Sequence, residues 1–139
     1  MPELKKYKMF INGEWVNSDT KKTFETLNPE NNKPWAVVPE ASASDVDRAV
    51  KAAQNAFEGE WPKLLPKERA RYLRMIGDKL RENAEHLGKI ETIDTGKLYR
   101  ETYKQANYIA EYYDYYAGLA DKVEGSVLPI DKPNIQAIT

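Results

Sequence analysis

The residues whose types and spacing could do chemistry are Asp94-Thr95-Gly96-Lys97, His86, the carboxylates of Glu91 and Glu101, and the tyrosines between Tyr103 and Tyr116. Gly96-Lys97 is the ending of a phosphate-binding loop. However, Glu91 stands where the first glycine of that loop belongs, and Leu98 stands where Ser or Thr would hold magnesium. A helix stop explains the same residues: Gly96 reverses the chain and Lys97 complements the negative helix end. His86 is the only histidine, lies between Glu85 and Leu87, and has no serine in a nucleophile-elbow setting nearby. It is expected at the surface. Glu91 and Asp94 share a helix face at i and i+3 and, with Glu101, offer an acid and base pair. Solvated charge on a Glu- and Lys-rich helix is the plainer account. With zero cysteines, disulfides, thiolate zinc sites and cysteine nucleophiles are all excluded.

Composition narrows the classes further. The chain has 139 residues, 41% hydrophobic and 31% charged, as a soluble globular piece should. Lys and Arg number 21 against 22 Asp and Glu, so no field of one sign attracts nucleic acid or anionic lipid. Neither nucleic acid nor a membrane is an expected partner. Met1-Pro2-Glu3-Leu4-Lys5-Lys6 carries no apolar signal region, so a cytoplasmic protein is expected.

The elements that must position these residues change in period near Ser42. Over 1–41 the sequence predicts hairpins. Asn12-Gly13 between Phe10-Ile11 and Trp15-Val16 suits a type I′ turn, and Asn28 to Pro34 separates two further strands. Over 42–121 it predicts about four helices. Ser44 with Asp47 should cap the first, whose apolar face carries Val46, Ala49, Val50, Ala53 and Phe57. Pro66 should open the second, with Leu73, Ile76 and Leu80 as its buried stripe. Asn83 should cap the third, which carries Leu87, Ile90 and Ile93 or Asp94 on one face and stops at Gly96. The fourth runs from Tyr99 to Asp121, aromatic around most of its circumference, and such a helix is normally covered on several sides. Over 122–139 an irregular connection marked by Gly125, Pro129 and Pro133 leads to Ile135-Gln136-Ala137-Ile138-Thr139. That run reads as the start of a strand left without a partner.

Phe10-Ile11-Asn12-Gly13-Glu14-Trp15-Val16, Leu27-Asn28-Pro29, Ala49-Val50-Lys51-Ala52-Ala53, Glu91 to Lys97, Tyr115-Tyr116-Ala117-Gly118-Leu119-Ala120 and Pro129-Ile130-Asp131 occur in an order that resembles the amino-terminal part of an NAD(P)-dependent aldehyde dehydrogenase. The resemblance implies a mixed α/β fold, with 1–139 forming the start of a cofactor domain whose doubly wound sheet is largely absent. It also implies a parent enzyme in which a cysteine thiolate attacks an aldehyde and hydride passes to NAD or NADP. Water then releases a carboxylic acid. The cysteine, the general base, the oxyanion donor and the main cofactor contacts match nothing in these 139 residues, so the chain alone is expected to be inactive and to bind no nicotinamide tightly.

Two sites follow from the same resemblance. Tyr108 falls where related enzymes direct a helix residue into the aldehyde tunnel, and Lys104 shares its face at i−4. The alternative is that these tyrosines pack against the rest of a larger protein. Asp94 matches an aspartate that can lie beside a monovalent cation, with backbone carbonyls from Thr26 and Leu27. Oxygen ligands suit a hard cation. The expected partners are the remainder of a dehydrogenase chain or a full-length homologue, with the parent a homo-oligomer. The competing reading is a truncated, non-catalytic helical module that docks partners through its uncovered aromatic face.

Overall fold

A computed structural model describes residues 4–128 and 133–139. Among the described residues, seven short strands and four α-helices make a mixed α/β arrangement. Strands β2 (Met9–Ile11) and β3 (Glu14–Val16) form the expected tight hairpin. Asn12 and Gly13 both take positive φ, 53° and 82°, as a type I′ turn requires. β4 (Thr23–Asn28) pairs antiparallel with β5 (Lys33–Pro39), with a bulge between Thr26 and Leu27. β1 (Lys5–Lys6), which no sequence pattern announced, adds to the other edge of β5 in parallel, and the buried Ala36 sits in that central strand.

The helices fall where their stop signals put them. α1 spans Ala43–Glu58, α2 Pro66–Glu82, α3 Ala84–Thr95 and α4 Tyr99–Leu119, with a 3-10 turn at Trp61–Lys63. Two details differ from expectation. The cap of α1 is Ser42 with Asp45, a reciprocal capping box, in place of Ser44 with Asp47. Asn83 joins α2 to α3 as predicted, but its side-chain amide donates back to the Lys79 carbonyl and so closes α2. Gly96 ends α3 in the left-handed region at φ 75°, and its N–H donates to the Thr92 carbonyl.

The expected buried stripes are displaced. The buried apolar residues among those described are all alanines: Ala36, Ala70, Ala84, Ala106, Ala110 and Ala117. On α2 the closest approach is at Ala70 and Gly77, while Leu73 and Leu80 are half-buried and Ile76 is exposed. On α3 it is at Ala84 and Gly88, with Ile90 half-buried and Leu87 and Ile93 at the margin. Absent side chains explain this. A Cβ on Gly77 would lie 3.1 Å from the Ala110 carbonyl oxygen, and one on Gly88 would lie 3.0 Å from the Tyr103 backbone. α4 therefore lies against α2 and α3 nearly backbone to backbone. Thr102, fully buried, ties the crossing by donating to the Gly88 carbonyl at 2.9 Å and lying 2.9 Å from the Thr92 hydroxyl.

The strand near the chain's end does have a partner. β7 (Ala137–Ile138) pairs antiparallel with β6 (Val127–Leu128), and Ser126 and Thr139 exchange backbone hydrogen bonds beyond it. The expectation of an unclosed strand is corrected by that hairpin, whose first arm is too short to show a period. Pro129-Ile130-Asp131 lies outside the described residues.

Candidate functional site

The tyrosines of α4 divide between two faces. Thr102, Ala106, Ala110 and Ala117 point into the helix layer, and half-buried Tyr113 shares that side. Tyr108, Tyr112, Tyr115 and Tyr116 occupy the other face at helical spacing, each about half exposed. With Glu111 they line a surface cavity of about 380 Å³. Tyr108 and Tyr112 meet edge to face at 5.0 Å and 89°, with their hydroxyls 3.0 Å apart. Tyr115 and Tyr116 meet at 5.3 Å and 88°. The Tyr108 hydrogen bond pushes the Tyr112 phenol above its ordinary pKa. Lys104 shares the helix face by spacing but is not among the cavity's walls.

A second cavity, about 440 Å³, opens where β4 and β5 meet α3, and is lined by Tyr7, Phe24, Thr26, Trp35, Val38, Ile90 and Asp94. Here Asp94 is brought to Thr26 across the fold. The Thr26 hydroxyl donates to Asp94 Oδ1 at 2.7 Å, and the Trp35 indole donates to the same oxygen at 3.3 Å. Leu27 follows Thr26 at the β4 bulge and is exposed, outside that lining. The sequence identified Asp94 and Thr26 but not Trp35. Trp35-Ala36-Val37-Val38 was legible as a short apolar strand, yet nothing local shows that the Trp35 N–H reaches a helix end.

The remaining candidates carry plain structural roles. Glu91 accepts from the Lys97 ammonium at 2.7 Å, joining the last turn of α3 to the following loop. His86 is exposed, as expected, and so is Glu101. No group of three or more His, Cys, Asp or Glu side chains among the described residues is arranged to hold a metal ion. No described helix is long and apolar enough to cross a membrane.

Asp45 is the polar centre that sequence reasoning missed. It is 1% exposed, and its Oδ2 accepts from the Ser18 hydroxyl at 2.8 Å, the Ser42 N–H at 2.9 Å and the Ser42 hydroxyl at 3.0 Å. Arg48 pairs with Oδ1. The Ser42 N–H, with Ser18, Arg48 and the Ser42 hydroxyl, outweighs burial and holds this carboxyl well below the usual carboxylate range. Ser42-x-x-Asp45 has the same spacing as Ser44-x-x-Asp47, but the sequence reading took only the second pair as the cap. Ser18, 27 residues away, decides between them.

A dinucleotide needs a glycine turn between a parallel strand and a helix. The seven glycines of this chain lie instead in the β2–β3 turn, at helix ends, within α2, α3 and α4, and at Gly125 in the last connection. The residues present do not fit that group.

The family model described as "Aldehyde dehydrogenase family" matches residues 15–139. The chain is 44% identical over 135 residues to an Acinetobacter baylyi (Z)-2-((N-methylformamido)methylene)-5-hydroxybutyrolactone dehydrogenase, covering 96% of this chain and 27% of that protein. It is 42% identical over 125 residues to the mitochondrial aldehyde dehydrogenase family 2 member B4 of Arabidopsis thaliana, covering 88% and 23%. Its fold matches a Staphylococcus aureus betaine aldehyde dehydrogenase solved with NAD+, at TM-score 0.83 and 39% identity, covering 91% of this chain and 26% of that one. The chain thus spans about a quarter of the length of these relatives.

Proposed function

Because the chain belongs to the aldehyde dehydrogenase family, we propose that it is the amino-terminal portion of an enzyme that oxidises an aldehyde to a carboxylic acid with NAD or NADP. The family match over 15–139 carries this reading. The nucleophile and the nicotinamide contacts come from residues outside this sequence, which contains no cysteine. By itself the chain neither turns over nor holds nicotinamide tightly.

Within that enzyme, 1–139 is the first part of the cofactor-binding domain and works as a brace and a wall. The brace is the backbone-close layer of α2, α3 and α4. The wall is the outer face of α4, where Tyr108 borders the aldehyde tunnel and Lys104 lies one turn earlier on the same helix face. Asp94, with the backbone of Thr26 and Leu27, flanks a monovalent cation. The Asp94 oxygen that accepts from Thr26 and Trp35 orients the carboxylate, leaving Oδ2 to face the ion. The parent is a cytoplasmic homo-oligomer, and the partner of this segment is the remainder of the dehydrogenase chain.

The test is a chimera joining residues 1–139 to the carboxyl-terminal three quarters of the Staphylococcus aureus relative, followed by NADH absorbance. Aldehyde-dependent reduction is expected from the chimera and none from the chain alone. Turnover by the chain alone overturns the division of labour. A folded but silent chimera overturns the enzyme reading in favour of a non-catalytic module.

A further inference from the structure

We infer that Asn12-Gly13, the β2–β3 turn, is a self-modification site: the Asn12 side chain loses ammonia through a succinimide and leaves a carboxylate at position 12. Asn12 is the only asparagine of the chain followed by glycine. The step balances with water as its one co-reactant. The Gly13 nitrogen bonds to Asn12 Cγ, its proton passes through solvent to the departing amide, and ammonia leaves as the Cγ–Nδ2 bond breaks. Water then opens the ring at one of its two carbonyls, giving aspartate or its β-linked isomer. Nothing is oxidised or reduced.

The turn leaves the attacking nitrogen free. The hairpin ladder closes through Ile11 and Glu14, and the second central N–H of a two-residue turn makes no ladder bond. Both turn residues are exposed, and a Cβ added to Gly13 would meet nothing within 4 Å, so no neighbour blocks the approach. Closure needs one movement. Flipping the Asn12–Gly13 peptide plane converts type I′ to type II′, the other turn that a two-residue hairpin accepts, and Gly13 takes either sign of φ. The flip carries ψ of Asn12 to about −120°. That lays the Gly13 nitrogen beside Asn12 Cβ, as a five-membered ring requires. The strands stay paired meanwhile, held by the Phe10–Trp15 ring contact at 5.0 Å.

Other asparagines lack one part or another. Asn32 and Asn134 also take positive φ, 54° and 64°. Asn32 is followed by Lys33, whose N–H donates to Asn31 Oδ1 at 2.9 Å, and Asn134 by the β-branched Ile135. Asn31 is followed by Asn32, whose N–H donates to the Asn28 carbonyl at 2.8 Å. The product carboxylate at position 12 also has a place in the fold. Asn12 lines a cavity of about 340 Å³ between the hairpin and α1, whose charged walls are Glu14, Arg48 and Lys51. Arg48 pairs with Asp45, while Lys51 is exposed and makes no ion pair among the described residues. A new carboxylate brings those walls to two acids and two bases. Asp-Gly also suits a type I′ turn as Asn-Gly does, whereas the β-linked isomer adds a methylene to the main chain and spoils the two-residue register.

The site is independent of the enzyme reading, and neither the activity nor the silence of the chimera bears on it. The test ages the 139-residue chain in mildly alkaline buffer and maps the products by peptide mass and isoaspartate assay. Asn12 is expected to convert about tenfold faster than any other asparagine. The rate should climb with pH, because the Gly13 nitrogen must shed its proton to attack. The native chain should give a larger share of aspartate than the chain aged in guanidinium chloride, where no paired strands favour the α-linked product. Asn12→Gly keeps a type I′ pair and should abolish conversion at this position. Asn12→Asp should retain the Phe10–Trp15 contact by NMR. An Asn12 that stays intact in the native chain while the unfolded chain converts overturns the inference, as does faster conversion at Asn32. An Asn12→Asp chain that has lost the hairpin overturns the accommodation of the product.

Discussion

α1 and α4 meet the rest of the molecule in opposite ways. α4 presents Thr102, Ala106, Ala110 and Ala117 to its neighbours, and glycines on α2 and α3 let the backbones come within van der Waals reach. α1, of 16 residues, buries only the side chain of Asp45. Its apolar residues Val46, Val50 and Phe57 stay exposed. One helix is held by shape along much of its length, while the other hangs from a charged hinge at its first turn. Close packing of small residues makes many weak dispersion contacts that all depend on the absence of a Cβ. A buried carboxylate concentrates its hold in a few charge-assisted hydrogen bonds and fails when the charge is lost. The comparison also shows what an amphipathic pattern means. It marks a face that favours cover, and this chain supplies little cover for α1.

The largest effect should come from putting a branched side chain into the tightest crossing. Gly88→Val would drive its Cβ to 3.0 Å from the Tyr103 backbone, with the Tyr99 ring at 3.3 Å, and a backbone cannot step aside as a flexible side chain can. A loss of about 3 kcal/mol or more is expected in urea unfolding. Gly77→Ala should be milder, since its nearest neighbour is one carbonyl oxygen at 3.1 Å and helix propensity returns about 1 kcal/mol. If both substitutions were neutral, α4 would not be held by shape.

Next in size, and local in reach, is the loss of the Asp45 charge. Its folded pKa is depressed, so its contribution is fully present above the unfolded value of about 4 and disappears as pH falls below it. α1 amides should therefore lose hydrogen-exchange protection on acidification, before the α2–α4 layer does. Asp45→Ala should show that pattern already at neutral pH, with a fall in melting temperature of several degrees. Simultaneous loss of protection in both regions would dissolve the distinction drawn here.

How much of this was legible in the sequence follows from how local each cause is. The β2–β3 hairpin was readable because Asn12 and Gly13 specify its turn by themselves. Gly96 was readable as a helix stop for the same reason. The cap of α1 was placed two residues late, at Ser44 with Asp47, because an equally spaced Ser-x-x-Asp overlaps it and the deciding hydroxyl, Ser18, comes from a distant loop. β1 and β6 have two residues each, too few to show alternation, and both are defined only by their partners. The helix stripes were read from large apolar residues, whereas contact was decided by alanines and glycines, which hydrophobic periodicity barely registers. Of the candidate sites, Thr26 and Asp94 lie side by side, but through the Thr26 hydroxyl and not through the backbone carbonyls that the family resemblance implies. Tyr112, i+4 from Tyr108, was within reach of the same spacing argument.

Thr102 gives a smaller test within the packed region. Its hydroxyl donates to the Gly88 carbonyl and faces the Thr92 hydroxyl, yet its volume hardly changes on replacement by Val. Thr102→Val should cost about 1–2 kcal/mol, chiefly by leaving the Thr92 hydroxyl and the Gly88 carbonyl without this partner. Thr102→Ser should keep most of the stability. If Val were as stable as Thr, shape alone would hold the crossing and its polar tie would be incidental.

The smallest effect is expected where the sequence pattern looked most like core. Val50 lies on the apolar face of α1 at 62% exposure. Val50→Thr keeps the shape and adds a hydroxyl that would cost about 1–3 kcal/mol in a true interior. Here the hydroxyl meets solvent, so unfolding of the 139-residue chain should change by less than about 0.5 kcal/mol. The same substitution in the chimera should cost more if the added segments cover α1, and the difference between the two backgrounds measures that cover directly. A large cost in the isolated chain that falls on dilution would mean that α1 faces pair between copies. A large cost independent of concentration would mean that α1 is packed within the chain after all, and its contrast with α4 would fail.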